Sequence, residues 1–166
     1  MAAGRTYTPI ERRTLQSDTA SVTFSNISGS YTDLIAICDV KGGDANLVLR
    51  FNSDSGSNYS ATALAATNNN QASSFRNTSQ TSLNNAGSAY MFTLNDRLFS
   101  TFHIMNYSNT STYKLILSRG NNPPAGVDLQ VGVWRSTSAI TSIEFIGQGS
   151  NLYAGSIINL YGIAAA

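Results

Sequence analysis

A single histidine, His103 in the segment FSTFHIMNY, is the residue best suited to acid–base catalysis in this chain. Catalysis by histidine in hydrolases needs a nucleophile and an acid placed around the ring, usually within a recognisable local pattern. The sequence contains no G-x-S-x-G, H-E-x-x-H, C-x-x-C or phosphate-loop pattern, and its 9 acidic residues fall mostly in turns, so no carboxylate pair stands out. We therefore expect a hydrogen-bonded histidine on a half-buried strand and no enzymatic activity.

Two further features could react or bind metal, but both favour structural roles. Cys38, the only cysteine, lies in the apolar segment LIAICDV, where a free thiol packs as a small hydrophobe. The segment NSDSGSN places Asp54 near Gly56 and Asn58, a spacing that faintly resembles a calcium loop. Such loops need more carboxylates and a terminal bidentate Glu, which are missing here. A glycine-containing turn is the favoured interpretation, and we predict no metal ion and no cofactor.

Aromatic and amide side chains leave carbohydrate binding open as a function. Aromatic rings can stack on sugars, and Asn and Ser side chains can bond to sugar hydroxyl groups. Tyr and Trp are also ordinary half-buried strand residues with one polar end, and this structural role is favoured for each of them. The candidates are Tyr59, Phe75, Arg76, Tyr107, Tyr113 and Trp134.

The composition of the 166-residue chain indicates one all-β domain. Ser, Thr and Asn make up about a third of the residues, and Ser and Asn in particular favour turns over helix interiors. Only 11% of residues are charged and the formal net charge is +1, which gives no electrostatic footprint for nucleic acid. No apolar stretch approaches the ~18 residues of a membrane span, and no signal region precedes the first strand, so we expect synthesis in a cytosol without export by a recognisable signal.

Short alternating segments separated by turn clusters predict an antiparallel β-sandwich, jelly-roll-like, with about 8 to 10 strands. Residues 1–15 are expected to form an N-terminal arm or edge strand, and residues 16–166 a single sandwich domain. The segment 152–163 is apolar on both faces, which predicts a central strand that completes a sheet.

Turn residues set the predicted connections. The spacing predicts a hairpin over 31–52, a second hairpin joining 99–107 to 111–119, and a long polar loop over 68–88, a length typical of functional loops. The remaining predicted strands are 20–27, 59–67, 89–95, 127–136 and 140–147. The segment 59–67 is the weakest of these, because its alanines lower the β-propensity, and a short helix is the alternative there.

Several segments resemble small virion proteins of tailed bacteriophages, especially those of aquatic phages. In chain order they are YTPIERRTLQSDTASVTFSNISGSYTDLIAI, LVLRFNSDSGSNYSATAL, IMNYSNTSTYKLILSRG, VGVWRSTSAITSIEF and GSIINLYGI. The similarity runs from about residue 6 to 163, and the elements FN-D-GSNYS and AGS---LYGI are its most specific parts. The resemblance implies a location in the virion and carries no catalytic residues.

Two roles fit such a protein. We expect a capsid decoration (cement) protein that binds the outer capsid surface, with the major capsid protein and copies of itself, favoured as a trimer, as its partners. The alternative is the head domain of a tail fibre, which would contact host-surface glycans. Decoration is preferred because the β-rich part of the sequence begins close to Met1, without a preceding fibre shaft.

The first strand and the last are expected to carry the assembly contacts, and the polar loop to face outward. The candidate contacts are Tyr7, Pro9, Ile10, Arg12, Arg13 and Tyr161, and the candidate binding loop contains Phe75, Arg76 and Asn77.

Overall fold

Two antiparallel sheets pack face to face in the computed structural model, which describes residues 6–43, 46–67, 71–84, 97–122, 124 and 126–163. All regular secondary structure within these ranges is β-strand, which confirms the prediction of an antiparallel β-sandwich. The twelve strands exceed the expected number of about 8 to 10. They are β1 (Tyr7–Thr14), β2 (Ser21–Phe24), β3 (Asp33–Lys41), β4 (Asn46–Phe51), β5 (Tyr59–Thr67), β6 (Ala72–Gln80), β7 (Leu83–Asn84), β8 (Arg97–Met105), β9 (Lys114–Asn122), β10 (Gly126–Trp134), β11 (Ile143–Gln148) and β12 (Ile157–Ile163).

The strand order is that of a jelly roll with an extended sheet. The larger sheet runs β1-β12-β3-β8-β9-β10-β5-β6 and the smaller runs β2-β11-β4-β7. When β5, β6, β9 and β10 are set aside, the chain crosses between the sheets at every connection except the one from β4 to β7. This alternation gives the double Greek-key path of a jelly roll. The hairpins β5–β6 and β9–β10 therefore extend the larger sheet by four strands beyond β8.

The last strand lies inside the larger sheet, as its apolar character predicts. β12 pairs with β1 on one side and with β3 on the other. Its Ile158 and Leu160 are fully buried in the core between the sheets. β1 occupies the edge of this sheet, where the missing amide of Pro9 costs no ladder bond.

Three aromatic side chains join the smaller sheet to the extension. The ring of Phe51 lies 6.1 Å from that of Tyr59 and 5.6 Å from that of Trp134, and Tyr59 and Trp134 stack at 6.4 Å. The Tyr59 hydroxyl accepts from the Phe51 amide at 3.0 Å. Tyr59, Trp134 and Tyr107 were candidates for carbohydrate binding, but all three are buried and therefore pack within the fold.

Two predicted connections are wrong. β3 and β4 do not form a hairpin, because they belong to different sheets and the turn after Lys41 carries the chain across the core. The predicted loop over 68–88 contains strand β6 and the short strand β7. The hairpin of β8 and β9 is confirmed. The predicted strand 89–95 lies outside the described residues.

The turn after β4 is organised by one carboxylate. Asp54 accepts hydrogen bonds from Trp134 Nε1 at 2.7 Å, Asn58 Nδ2 at 2.9 Å and the Gly56 amide at 2.8 Å. Partial burial raises the pKa of Asp54, but the hydrogen bonds together outweigh this effect and hold the pKa below its ordinary value. The glycine-containing turn predicted here is confirmed, and Asp54 ties it to β10.

Replacing Asp54 with Asn should lower the free energy of unfolding by about 1–3 kcal/mol, because charge-assisted hydrogen bonds are lost. A depressed pKa stabilises the fold above the ordinary aspartate pKa, and this contribution disappears as the pH falls through the folded-state pKa. The difference between the protein and the variant should therefore shrink on acidification. Urea unfolding followed by circular dichroism measures it, with the half-buried Glu11→Gln, which loses only a surface ion pair with Arg13, as control; equal stabilities of the protein and the Asp54 variant at neutral pH would contradict this role.

Candidate functional site

The two strands of the hairpin β9–β10 turn most of their aliphatic side chains away from the core. On β10 the buried positions are Asp128, Gln130, Gly132 and Trp134, while Val127, Leu129 and Val131 are exposed. On β9, Leu115 and Leu117 are exposed, and Ile116 is buried together with the polar residues Lys114, Ser118 and Asn122. A strand in a sandwich ordinarily turns its apolar side inward. The reversal makes the outer face of the larger sheet a candidate interaction surface.

The exposed residues form one continuous area, here called the apolar patch. Leu129 lies between Arg119 of β9 and Leu64 of β5, and Val131 lies beside Leu117. The members are 38% to 62% exposed: Leu64, Leu115, Leu117, Val127, Leu129 and Val131. Single exposed apolar residues are normal on protein surfaces, but a contiguous group on one sheet face is typical of an interaction site.

A shallow groove of about 520 Å³ crosses the other half of the same face and is here called the aromatic groove. Ile35 and Ile37 of β3 form part of its lining. Its aromatic and polar lining consists of Tyr7, Tyr161, Phe99, Thr101, His103 and Arg119. The groove adjoins the patch, because Leu117 and Leu129 line both. Rings together with hydrogen-bonding groups give this groove the chemistry for stacking on a sugar.

His103 is held within the groove by a carboxylate. Its Nε2 lies 2.7 Å from Oδ2 of Asp33, whose Oδ1 accepts from the Asn106 amide at 2.7 Å. The side chain is half-buried on β8, which confirms the prediction of a hydrogen-bonded histidine. Cys38 is fully buried, and burial raises the pKa of its thiol, which keeps the sulfur in the protonated, less nucleophilic form.

The predicted assembly contacts lie along β1 and β12. Tyr7 and Tyr161 come together at the end of the aromatic groove, with ring centroids 6.4 Å apart in an edge-to-face arrangement. Pro9 is exposed and lies opposite Tyr161 in the ladder, whereas Ile10 occupies a bulge and packs against the core. The exposed Arg12 and Arg13 complete the set, and Arg13 pairs with Glu11 at 2.6 Å. Ile10 therefore contributes to the fold more than to any contact surface.

The predicted binding loop is a strand, and its three residues do not share a face. Phe75, Arg76 and Asn77 lie on β6, the far edge of the larger sheet, rather than on a loop. Arg76 pairs with Thr62 on the outer face, while Phe75 and Asn77 point to the opposite side. An edge strand beyond the core has no buried face, so its sequence shows no apolar alternation and resembles a loop.

The two edges of the larger sheet differ in how they resist pairing with another strand. β1 carries Pro9, a bulge at Ile10 and the charged run from Glu11 to Arg13, all of which discourage edge-to-edge association. β6 is nine residues long, lacks proline and has Arg76 as its only charged residue. The β6 edge is therefore the more open of the two.

The described part of the chain contains no group of three or more His, Cys, Asp or Glu residues placed to hold a metal ion. Within the same ranges, no helix is long and apolar enough to cross a membrane. In comparisons with known proteins, the sequence matches no family model and no curated protein.

The apolar patch is the feature that the sequence analysis missed. The alternation of Val127, Leu129 and Val131 was visible, but alternation alone does not say which face of a strand is buried. The sequence offered one clue in Trp134. Because side chains alternate along a strand, Trp134 lies on the same face of β10 as Asp128 and Gln130. A buried Trp134 requires the valines and Leu129 to face outward.

Ile116 and Leu117 are neighbours in β9 that test the orientation of this strand. Ile116→Ala should lower the free energy of unfolding by about 2–5 kcal/mol because it leaves a core cavity, whereas Leu117→Ala should cost less than about 1 kcal/mol. Urea unfolding at low protein concentration, followed by the fluorescence of Trp134, gives both values. Equal losses, or a larger loss at Leu117, would show that the strand faces the other way.

Proposed function

We propose that this chain is a structural protein of a phage virion, a capsid decoration protein that binds the outer capsid surface. The observation that carries the proposal is the apolar patch on the larger sheet. An exposed apolar area backed by a rigid sheet suits a permanent contact between protein subunits, because interface cores are apolar and depleted in charge. The resemblance of the sequence to small phage virion proteins supplies the biological setting.

The contact with the major capsid protein is assigned to the β1 edge. Arg12 and Arg13 are exposed there beside Tyr7 and Pro9. Arginine is enriched at protein interfaces, where its planar guanidinium group forms bidentate hydrogen bonds with carboxylates. A bulged edge strand with charged side chains suits recognition by side chains rather than by continuation of the sheet.

The second candidate function is a receptor-binding head domain of a tail fibre. The aromatic groove favours it, because Tyr7, Tyr161 and Phe99 surround His103 and Arg119 in an open depression. Stacking on the rings and hydrogen bonds to the polar groups would bind a host-surface glycan. Capsid decoration is preferred because the exposed apolar patch and the exposed arginines of β1 offer two separate protein-contact surfaces, as a subunit that contacts both its own copies and the capsid requires.

Location in the particle decides between these roles. Capsids that lack the protein should bind the purified chain in many copies per particle, seen by co-sedimentation and as lattice-ordered density in cryo-electron microscopy. Density confined to the tail tip would reject decoration and support the tail-fibre role. Purified chain that remains in the supernatant with capsids, and density absent from the capsid lattice, would contradict the proposal.

Removing two charges from the β1 edge should weaken capsid binding selectively. The double variant Arg12→Ala, Arg13→Ala should bind capsids at least about tenfold more weakly, because two exposed cations at the contact are lost. Its melting temperature should stay unchanged, since both side chains are exposed and the Arg13–Glu11 pair contributes little.

The matched control is Thr8→Ala, Thr14→Ala, which shortens two uncharged side chains on the same strand. Quantitative co-sedimentation at two salt concentrations measures both variants. If the arginine variant bound capsids with wild-type affinity, the capsid contact would not lie on β1.

A further inference from the structure

We propose that a second copy of this chain packs on the apolar patch, so that two larger sheets stack face to face about a two-fold axis along β10. The inference rests on the proposed function in that it names a partner for the assembly surface. It concerns the contact between copies, which forms without the capsid.

The available area matches that of a stable dimer. Five strands, β8, β9, β10, β5 and β6, each have nine residues and lie side by side. At the usual strand spacing and rise, they cover about 24 Å by 30 Å, roughly 700 Å² of flat sheet. A standard interface buries about 800 Å² of accessible surface on each partner, so this half of the face suffices.

The position of the patch favours two-fold symmetry. Its residues are centred on β10, with Leu115 and Leu117 on one side and Leu64 on the other. A two-fold axis along β10 places β9 of one copy over β5 of the other and β8 over β6. A single self-complementary area is what an isologous dimer requires, whereas a trimer needs two different areas that fit each other. The patch thus favours a dimer over the trimer expected from the resemblance.

The charges on this face fit the same arrangement. Arg119 lies in the ladder row of Leu64, so the axis separates the two arginines and places the aliphatic part of each Arg119 side chain over a leucine. Arg76 and His103 lie in the same row of paired residues across the sheet, each two strands from β10 but on opposite sides of it. The axis therefore brings Arg76 of one copy over the hydrogen-bonded His103–Asp33 pair of the other. This contact places a cation near a carboxylate that otherwise faces solvent on the rim.

The dimer covers the part of the aromatic groove that lies on β8, β9 and β10, including Phe99, His103 and Arg119. β1, β12 and β3 lie three or more strands from β10, beyond the reach of β6 on the facing copy. The β1 edge therefore remains free. Dimerisation through the patch is compatible with capsid binding through Arg12 and Arg13, whereas it removes half of the residues that a glycan in the groove would use.

The first test is the mass of the full chain in solution, without capsids. Sedimentation velocity at about 10 µM should show a dimer of the 17.7 kDa chain, because buried areas of this size commonly give sub-micromolar affinity. A monomer at this concentration, or a trimer, would overturn the inference.

Variants then test whether the patch forms the dimer contact. Val131→Lys should raise the dissociation constant of the dimer at least tenfold, because an ammonium group would be buried between the sheets. The matched control Thr23→Lys places the same side chain on an exposed position of the smaller sheet and should leave the dimer intact. Loss of dimer in both variants, or in neither, would overturn the assignment.

A milder substitution covers the case in which Val131→Lys does not fold. Arg76→Ala lies on an exposed edge strand, where no folding defect is expected, and should weaken the dimer several-fold by removing the contact with the His103–Asp33 pair. Unchanged affinity in Arg76→Ala would contradict the proposed axis.

The two proposals fail separately in these experiments. A dimer in solution that does not bind capsids would refute the decoration role and leave the dimer in place. A monomer that binds capsids through β1 would refute the dimer and leave the decoration role intact.

Discussion

A β-strand can turn only one of its two faces toward the core of a sandwich, and the hairpin β9–β10 turns its polar face inward. Asp128, Gln130 and Ser118 are buried on the inner side, while Leu117, Leu129 and Val131 are exposed on the outer side. Exposing leucine and valine to water forfeits the free energy of burying them. A sequence that accepts this cost in a monomer gains when the outer face is covered by another subunit.

The pairing register between β10 and β5 determines which face of β10 is buried. Trp134 lies opposite Tyr59 across the ladder, and the two rings pack with Phe51 of the smaller sheet. Gly132 lies two residues earlier, against the side chain of Leu83, where an added Cβ would collide. A slip of one residue would exchange the two faces of β10 and expel Trp134 from the core. The aromatic cluster thus decides which side chains form the apolar patch, although it lies on the opposite side of the sheet.

The jelly roll could be predicted from the sequence because its strands carry a local signal. β2 alternates Val22 and Phe24 with polar residues, and β12 is apolar on both faces, which predicted its central place. The extension could not be predicted in the same way. β6 has no buried face, so it resembled a loop, and the turn after β3 looked like a hairpin turn although it crosses between sheets. Among the predicted contacts, the structure brings Tyr7 and Tyr161 together, but neither the groove nor the patch could be found without the pairing of β3, β8, β9 and β10.

The jelly-roll strands and the hairpins β5–β6 and β9–β10 have different roles within one chain. The eight jelly-roll strands contribute most of the core residues, whereas the inserted hairpins add Tyr59, Ile116 and Trp134 to the core and offer surface on their outer face. Insertions between strands are tolerated when their ends are close together and the parent core is complete. Here each insertion is a hairpin that continues the existing sheet, so it gains a full ladder of backbone hydrogen bonds from β8 outward. Such a surface is rigid before any partner binds, which lowers the entropic cost of association. The open β6 edge and the apolar patch lie on the same four strands, because the two hairpins extend the larger sheet only beyond β8.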